Sequence, residues 1–339
     1  MQESDSSRRG FFHSLFGSAV AASIASDMIA QTQPSANGIP TRPFGRTKER
    51  ISIIGLGGAH VIGAKDKEES IRIMHTAIDE GVTFFDNAWE YANGRAEEVM
   101  GEALATGGRR DKVFLMTKNC ERDYAGSMKC LEESLRRLRT DRLDLWQFHE
   151  CNYDSDPDWV FEKGAVKAAL EAKKAGKVRY IGFTGHKSPH IHLKMLGKDQ
   201  VWDSAQMPIN VMDALFRSFQ KEVLPVCLKK GVAVLGMKSL GGGRPSGKIP
   251  REGNVTVDEC IRYSLSTPVA TQIVGFMAME HLVQAVQIAR NFKPMPDAEK
   301  AQLLSRVKVD AGDGRHELFK TGQVFDSAHH RRQHGFAVS

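Results

Sequence analysis

The stretch that decides the fold opens as Leu143-Asp144-Leu145-Trp146-Gln147-Phe148-His149, passes through residues 161–175, and closes as Val178-Arg179-Tyr180-Ile181-Gly182-Phe183. Its two ends are short runs of β-branched or aromatic residues and its middle is apolar at helical spacing, so it reads as strand, helix, strand, one parallel βαβ unit. Outward from this unit the pattern recurs about every 30 residues. Strands are predicted at residues 51–56, 83–86, 113–117, 143–149, 178–183, 204–207, 233–237 and 271–275. Helices are predicted between them at 68–80, 96–105, 128–137, 161–175, 219–229, 257–264 and 279–289. So many strand–helix units predict an α/β fold, a (β/α)8 TIM barrel in a single domain. The rival is an open doubly wound sheet, which the turn Gly55-Leu56-Gly57-Gly58 superficially suggests. That turn lacks the GxGxxG spacing and runs into His60-Val61-Ile62-Gly63 instead of opening a helix at once.

The barrel is expected over residues 37–297, behind an export signal and linker over 1–36 and ahead of a C-terminal helix and extension over 298–339. Ser7-Arg8-Arg9-Gly10-Phe11-Phe12, followed by a weakly apolar Ala/Ser/Gly stretch through Ala25, resembles a twin-arginine export signal, with Ser23 and Ala25 spaced like a peptidase site. It implies the export machinery as partner and the bacterial periplasm as destination; a plain basic leader would leave the chain cytoplasmic. Residues 31–43, with Pro34, Asn37, Gly38, Pro40 and Pro43, read as linker. Beyond the barrel, residues 298–307 read as one more helix, and Glu317-Leu318-Phe319-Lys320-Thr321 begins an irregular extension that either folds over the barrel or hangs loose.

With 41% hydrophobic and 26% charged residues, the composition is that of a globular protein able to bury a core. The net charge of +6 comes from basic residues scattered among acidic ones, which argues against a nucleic-acid partner. No apolar run reaches the roughly 18 residues of a permanent membrane span. The five cysteines, Cys120, Cys130, Cys151, Cys227 and Cys260, are odd in number and show no CxxC spacing, so neither a disulfide framework nor a metal site is expected.

Active sites of such barrels lie at the carboxyl ends of the strands. There stand Asp86 with Tyr91 five residues on, then Lys118, then His149 with Glu150 behind it. In Asp86-Asn87-Ala88-Trp89-Glu90-Tyr91, Met116-Thr117-Lys118 and Gln147-Phe148-His149 the chain resembles the aldo-keto reductases and their catalytic tetrad Asp86, Tyr91, Lys118 and His149. Ala96-Glu97-Glu98-Val99-Met100-Gly101, Gly176-Lys177-Val178-Arg179-Tyr180-Ile181-Gly182, Gln206 and Asn210 support the resemblance, which covers residues 44–292. It implies an oxidoreductase moving hydride between a nicotinamide dinucleotide and a carbonyl or alcohol substrate, an aldehyde, ketone or sugar-like compound. A free tyrosine, with a pKa of about 10, is a reluctant proton donor. Lys118 is expected to lower that value, Asp86 to hold Lys118 charged and oriented, and His149 to polarise the substrate oxygen. Trp89 is expected at the substrate mouth, and Cys120 and Cys151 beside the pocket as inert packing.

The cofactor implied is NADPH or NADH, lying along Gly57, Gly58, Asp86, Thr184, Gln206, Met237, Lys238, Leu240, Gly241, Met277 and Gln284. Several of these depart from the family's pattern. Thr184-Gly185 replaces a Ser-Asn pair, with His186 close by, and Met237 stands where a stacking aromatic is usual. Gly275-Phe276-Met277-Ala278-Met279 carries no cation for the 2′-phosphate that the family's preference for NADP would present. Gly241-Gly242-Gly243 would let backbone N–H groups approach a phosphate. A second functional class is a nucleotide-binding regulatory subunit resembling the potassium-channel β subunits. A third is a (β/α)8 enzyme of unrelated chemistry.

Overall fold

The computed structural model describes residues 28–35, 38–199, 201–242 and 248–338. The expected export signal and Gly243 lie outside the described residues. Eight strands form a closed barrel in which β3 (Ile54–Gly57), β4 (Phe84–Asp86), β5 (Phe114–Asn119), β6 (Leu143–Phe148), β7 (Val178–Thr184), β8 (Ser204–Pro208), β9 (Ala233–Met237) and β10 (Thr271–Val274) follow in order and β10 returns to β3. Every pairing around the ring is parallel. The (β/α)8 barrel expected from the sequence is therefore the fold.

Strand alternation separates two apolar layers. Leu56, Phe85, Leu115, Trp146, Phe148, Ile181, Phe183 and Met207 face outward into the core beneath the helices. Phe84, Phe114, Met116, Leu145, Leu235 and Ile273 fill the barrel itself. Because side chains alternate with period 2, the strand residues that continue the inner face toward the carboxyl end, Asp86, Lys118 and Gln206, emerge together at the mouth.

Two helices expected as single pieces are broken. Residues 161–175 divide into Asp156–Glu162 and Ala165–Lys174, because Gly164 between them sits at φ 91°, a left-handed conformation that glycine adopts without strain. Residues 219–229 divide into Phe219–Glu222 and Leu224–Lys230, where Pro225 cannot donate to a preceding carbonyl but fits a first helical turn. The helix Pro189–Lys198 was not expected; Pro189 opens it in the same way.

The strand expected at 51–56 is also two elements. Ile54–Gly57 enters the barrel, whereas β2 (Arg50–Ser52) pairs antiparallel with β1 (Thr41–Pro43), so part of the expected linker is a hairpin. Phe44, in its turn, is fully buried against Phe114 and Tyr180, at ring separations of 4.9 and 5.5 Å, and plugs the amino end of the barrel. Arg42 is buried as well and donates to the carbonyls of Leu265, Thr267 and Val269. Burial pulls its guanidinium down to about 10. Among the described residues no helix is long and apolar enough to cross a membrane.

Candidate active site

At the carboxyl end of the barrel lies a cavity of ≈ 510 Å³ whose wall includes Asp86, Tyr91, Lys118 and His149. Asp86 ends β4 and Lys118 projects from the neighbouring strand β5. Tyr91 starts a turn that runs through Ala92 and Asn93 at positive φ. His149 follows directly on β6, and the next residue, Glu150, holds φ 44°. A non-glycine residue in the left-handed region is a strained position, and such positions cluster where side chains must be aimed.

All three N–H donors of Lys118 are committed. Nζ donates to Asp86 Oδ1 at 2.7 Å, to the Asn87 carbonyl at 2.7 Å and to Tyr91 Oη at 3.1 Å. The phenol oxygen thus accepts from an ammonium and keeps its own O–H for the cavity. The His149 ring meets that of Tyr91 edge to face with centroids 5.5 Å apart, and His149 Nδ1 lies 2.8 Å from Glu90 Oε1. Gln206 Nε2 donates to Asp86 Oδ2 at 3.0 Å, while Gln206 Oε1 is buried without a partner.

The electrostatics of Tyr91 run opposite to the expectation. Burial, followed by the charges of Asp86, Glu90 and Glu150, pushes the phenol well above its ordinary value, and the ammonium of Lys118 does not offset them. Tyr91 is accordingly a protonated phenol at neutral pH. Burial draws the His149 imidazole down despite Glu90. It pushes the Glu150 carboxyl well up, with Glu90 adding to the effect.

Of the expected cofactor positions, Gly57, Asp86, Thr184, Gln206, Met237, Lys238, Leu240, Met277 and Gln284 line the cavity. Gly58 does not: a Cβ there would come within 2.5 Å of the Asp86 carbonyl, so it serves the close approach of two strand ends. Gly241 packs beside Ile249. Trp89 is likewise off the cavity, its Nε1 donating to Glu133 Oε2 at 2.7 Å with the Arg137 guanidinium 5.3 Å over its ring. Cys151 packs in the outer apolar layer, and Cys120 turns its sulfur to within 3.7 Å of His149 Nδ1. Neither lines the cavity.

Lys238 sits at φ 58° directly after β9, its ammonium 5.2 Å from the Phe319 ring and 5.3 Å from the Phe325 ring. Among the described residues its Nζ has no hydrogen-bond or ion-pair partner, and burial lowers the ammonium to about 8. Phe325 of the C-terminal extension lines the cavity, so here the extension folds over the barrel mouth; His60 and His281 line the cavity as well, and neither was expected there from the sequence. The extension is fastened by Asp326, which takes Tyr153 Oη at 2.6 Å, lies 3.2 Å from His186 Nε2 and pairs with Lys187. The Ser327 N–H also donates to Glu150 Oε2 at 3.0 Å. His186, which follows Thr184-Gly185, is thus engaged by the extension.

Set against known proteins, the sequence pattern of the Aldo/keto reductase family matches residues 53–259. The chain is similar to the uncharacterized oxidoreductase YrpG of Bacillus subtilis, at 31% identity over 226 residues, 60% of this chain and 68% of that one. It is similar at 31% identity over 215 residues to the aldo-keto reductase YhdN of the same organism, covering 59% of this chain and 62% of the relative. Among solved structures it is similar to a holo-form aldo-keto reductase of Bacillus halodurans, with a TM-score of 0.68 and 24% identity, over 82% of this chain and 99% of that one. An aldo/keto reductase from Klebsiella pneumoniae in complex with NADP and acetate gives a TM-score of 0.62 at 24% identity, over 77% and 93%. These two likenesses concern the fold.

Proposed function

Because the chain belongs to the aldo/keto reductase family, whose members are NAD(P)(H)-dependent oxidoreductases, we propose that it interconverts a small aldehyde, ketone or sugar-like carbonyl compound with its alcohol, Tyr91 acting as general acid and base. The observation that carries this reading is the chain Asp86, Lys118, Tyr91, joined at 2.7 and 3.1 Å and opening on the cavity. Lys118 receives the lone pair of Tyr91 Oη, so the phenolic proton points toward the space where a carbonyl oxygen would lie. In the reductive direction that proton passes to the developing alkoxide, and the ammonium steadies the phenolate left behind. In the oxidative direction the same oxygen takes the alcohol proton.

A bound nicotinamide dinucleotide supplies or takes up the hydride. The cavity residues suit such a group. Gln206, held by Asp86, has an unpartnered buried oxygen to accept from a carboxamide N–H, and the ammonium of Lys238 suits a pyrophosphate. From residues 275–284 the cavity takes Gly275, Met277, His281 and Gln284, with no lysine or arginine for a 2′-phosphate, so the reading includes NADH beside NADPH. Export by the twin-arginine route belongs to the proposal too, on the strength of Ser7-Arg8-Arg9-Gly10-Phe11-Phe12. Replacing Arg8 and Arg9 together by lysine should retain the protein in the cytoplasmic fraction.

The test is a fluorescence titration of the purified chain with NADPH and NADH, then turnover with a panel of aldehydes and ketones, for wild type and Tyr91→Phe. The variant should bind nucleotide as wild type does and lose about 10²- to 10⁴-fold in kcat. Full activity in Tyr91→Phe would remove that residue from its role. Nucleotide binding without turnover of any carbonyl would favour the regulatory-subunit reading.

A further inference from the structure

Three strand-end loops and the C-terminal extension bring Glu90, Cys120, His149 and His330 together, one ligand-capable atom from each lying within 4.8 Å of the others. Hydrogen bonding inside this group does not close. His330 is fully buried, and its Nδ1 lies 3.1 Å from Gln333 Oε1. The amide nitrogen of Gln333 is engaged with the Cys120 carbonyl, Glu121 and His329, so its oxygen must face His330 and Nδ1 must donate. His330 Nε2 is then a bare lone pair. It has no hydrogen-bond partner, and what it faces, 3.9 Å away, is Glu90 Oε1, a second acceptor. Glu90 Oε2 is buried and unpartnered as well. Buried acceptors turned on one another are costly and rare unless a cation stands between them.

We propose that Glu90, Cys120, His149 and His330 bind a zinc ion. One thiolate, two imidazoles and one carboxylate form a closed four-ligand set of the kind zinc takes in structural sites, and with both anions ionised the complex is neutral. Tetrahedral zinc at its usual bond lengths sets ligand atoms roughly 3.2–3.8 Å apart, so the group needs shifts of about 1 Å or less. Binding releases the Cys120 proton to solvent. Gln333 is the partner that fixes the His330 tautomer. The ion would fasten the extension to the barrel mouth. Through His149 Nδ1 it would also leave the proton on Nε2, the tautomer able to donate to a substrate oxygen; this last consequence, unlike the site, rests on the role proposed for His149.

Metal content of the full chain, purified after growth with added zinc and dialysed, tests the site without reference to turnover. Mass spectrometry should find one zinc per chain. The cobalt-exchanged protein should show a thiolate-to-cobalt charge-transfer band that Cys120→Ser abolishes. His330→Ala and Gln333→Leu, each checked for folding by circular dichroism, should weaken zinc binding about 10- to 100-fold. Wild type without zinc and without the cobalt band would overturn the proposal. So would zinc retained unchanged in both Cys120→Ser and His330→Ala. Because neither readout involves turnover, the site and the oxidoreductase reading fail separately.

Discussion

Lys118 is nearly inaccessible, at 1% exposure, and its charge is tolerated because Asp86 and two further oxygens satisfy it. Removing one partner of such a pair leaves the other buried and uncompensated, at a cost of about 3–5 kcal/mol. Lys118→Met should therefore lower stability in urea denaturation and turnover by about 10²-fold or more. Adding Asp86→Asn should restore much of the stability and none of the turnover; recovery of activity in the double variant would separate the pair from the chemistry. Lys238 carries a different expectation. With its ammonium lowered to about 8, it is charged below that pH and neutral above it. Dinucleotide Kd should rise as pH passes through 8, and Lys238→Met should bind about 10- to 100-fold more weakly with that pH dependence gone. An unchanged pH profile in the variant would take Lys238 off the phosphate. Asp86, Lys118, His149 and Lys238 were legible because strand periodicity marks which residue ends each strand. The direction of the Tyr91 shift was not, since it depends on the burial and the carboxylates gathered around the phenol.

The elements divide the same way. Barrel strands announce themselves as short apolar runs at regular spacing, and the helices that follow them bear local start signals, such as Asp66 and Asp123 accepting from the first-turn N–H groups of Glu69 and Gly126. The C-terminal extension has no such period. It is placed by partners far away in sequence, Asp326 by His186 at 140 residues' separation and Ser327 by Glu150 at 177, which no local pattern reports. Asp326 faces His186, Lys187, Tyr153 and Asn152. Against the pull of burial, hydrogen bonds from His186, Lys187 and Tyr153 hold its carboxyl down at about 2. A carboxylate depressed in the docked state stabilises docking above its free value of about 4 and loses that contribution as pH falls through 2. His186, lowered by burial to about 4, acts in the same direction, because the undocked imidazole takes up a proton from about 6.5 downward. Docking should weaken from about pH 6.5 and fail toward pH 2. Trp159, stacked on His334 of the extension at 4.7 Å, reports this by fluorescence. Asp326→Asn should move the transition to higher pH, and an unshifted transition would show that other contacts hold the extension.

The molecule as a whole keeps its chemistry at one end of the barrel and its closure at the other. The mouth carries strained backbone at Glu150 and Lys238 and buried ionisable groups, all of which cost stability. The amino end, where Arg42 is buried against carbonyl groups, lies away from the tetrad and seals the inner layer with Phe44 and the hairpin β1–β2. Phe44→Ala empties a fully buried aromatic site, which costs about 3–5 kcal/mol. At about 2–4 °C for each kcal/mol in a domain of this size class, thermal denaturation should fall by on the order of 10 °C. Dinucleotide Kd and kcat, measured well below the new Tm, should match wild type, since the rigid strands isolate the mouth from the plug. Binding that weakened in step with Tm would mean that the two ends share one cooperative structure and that the barrel does not insulate its active face from its stabilising one.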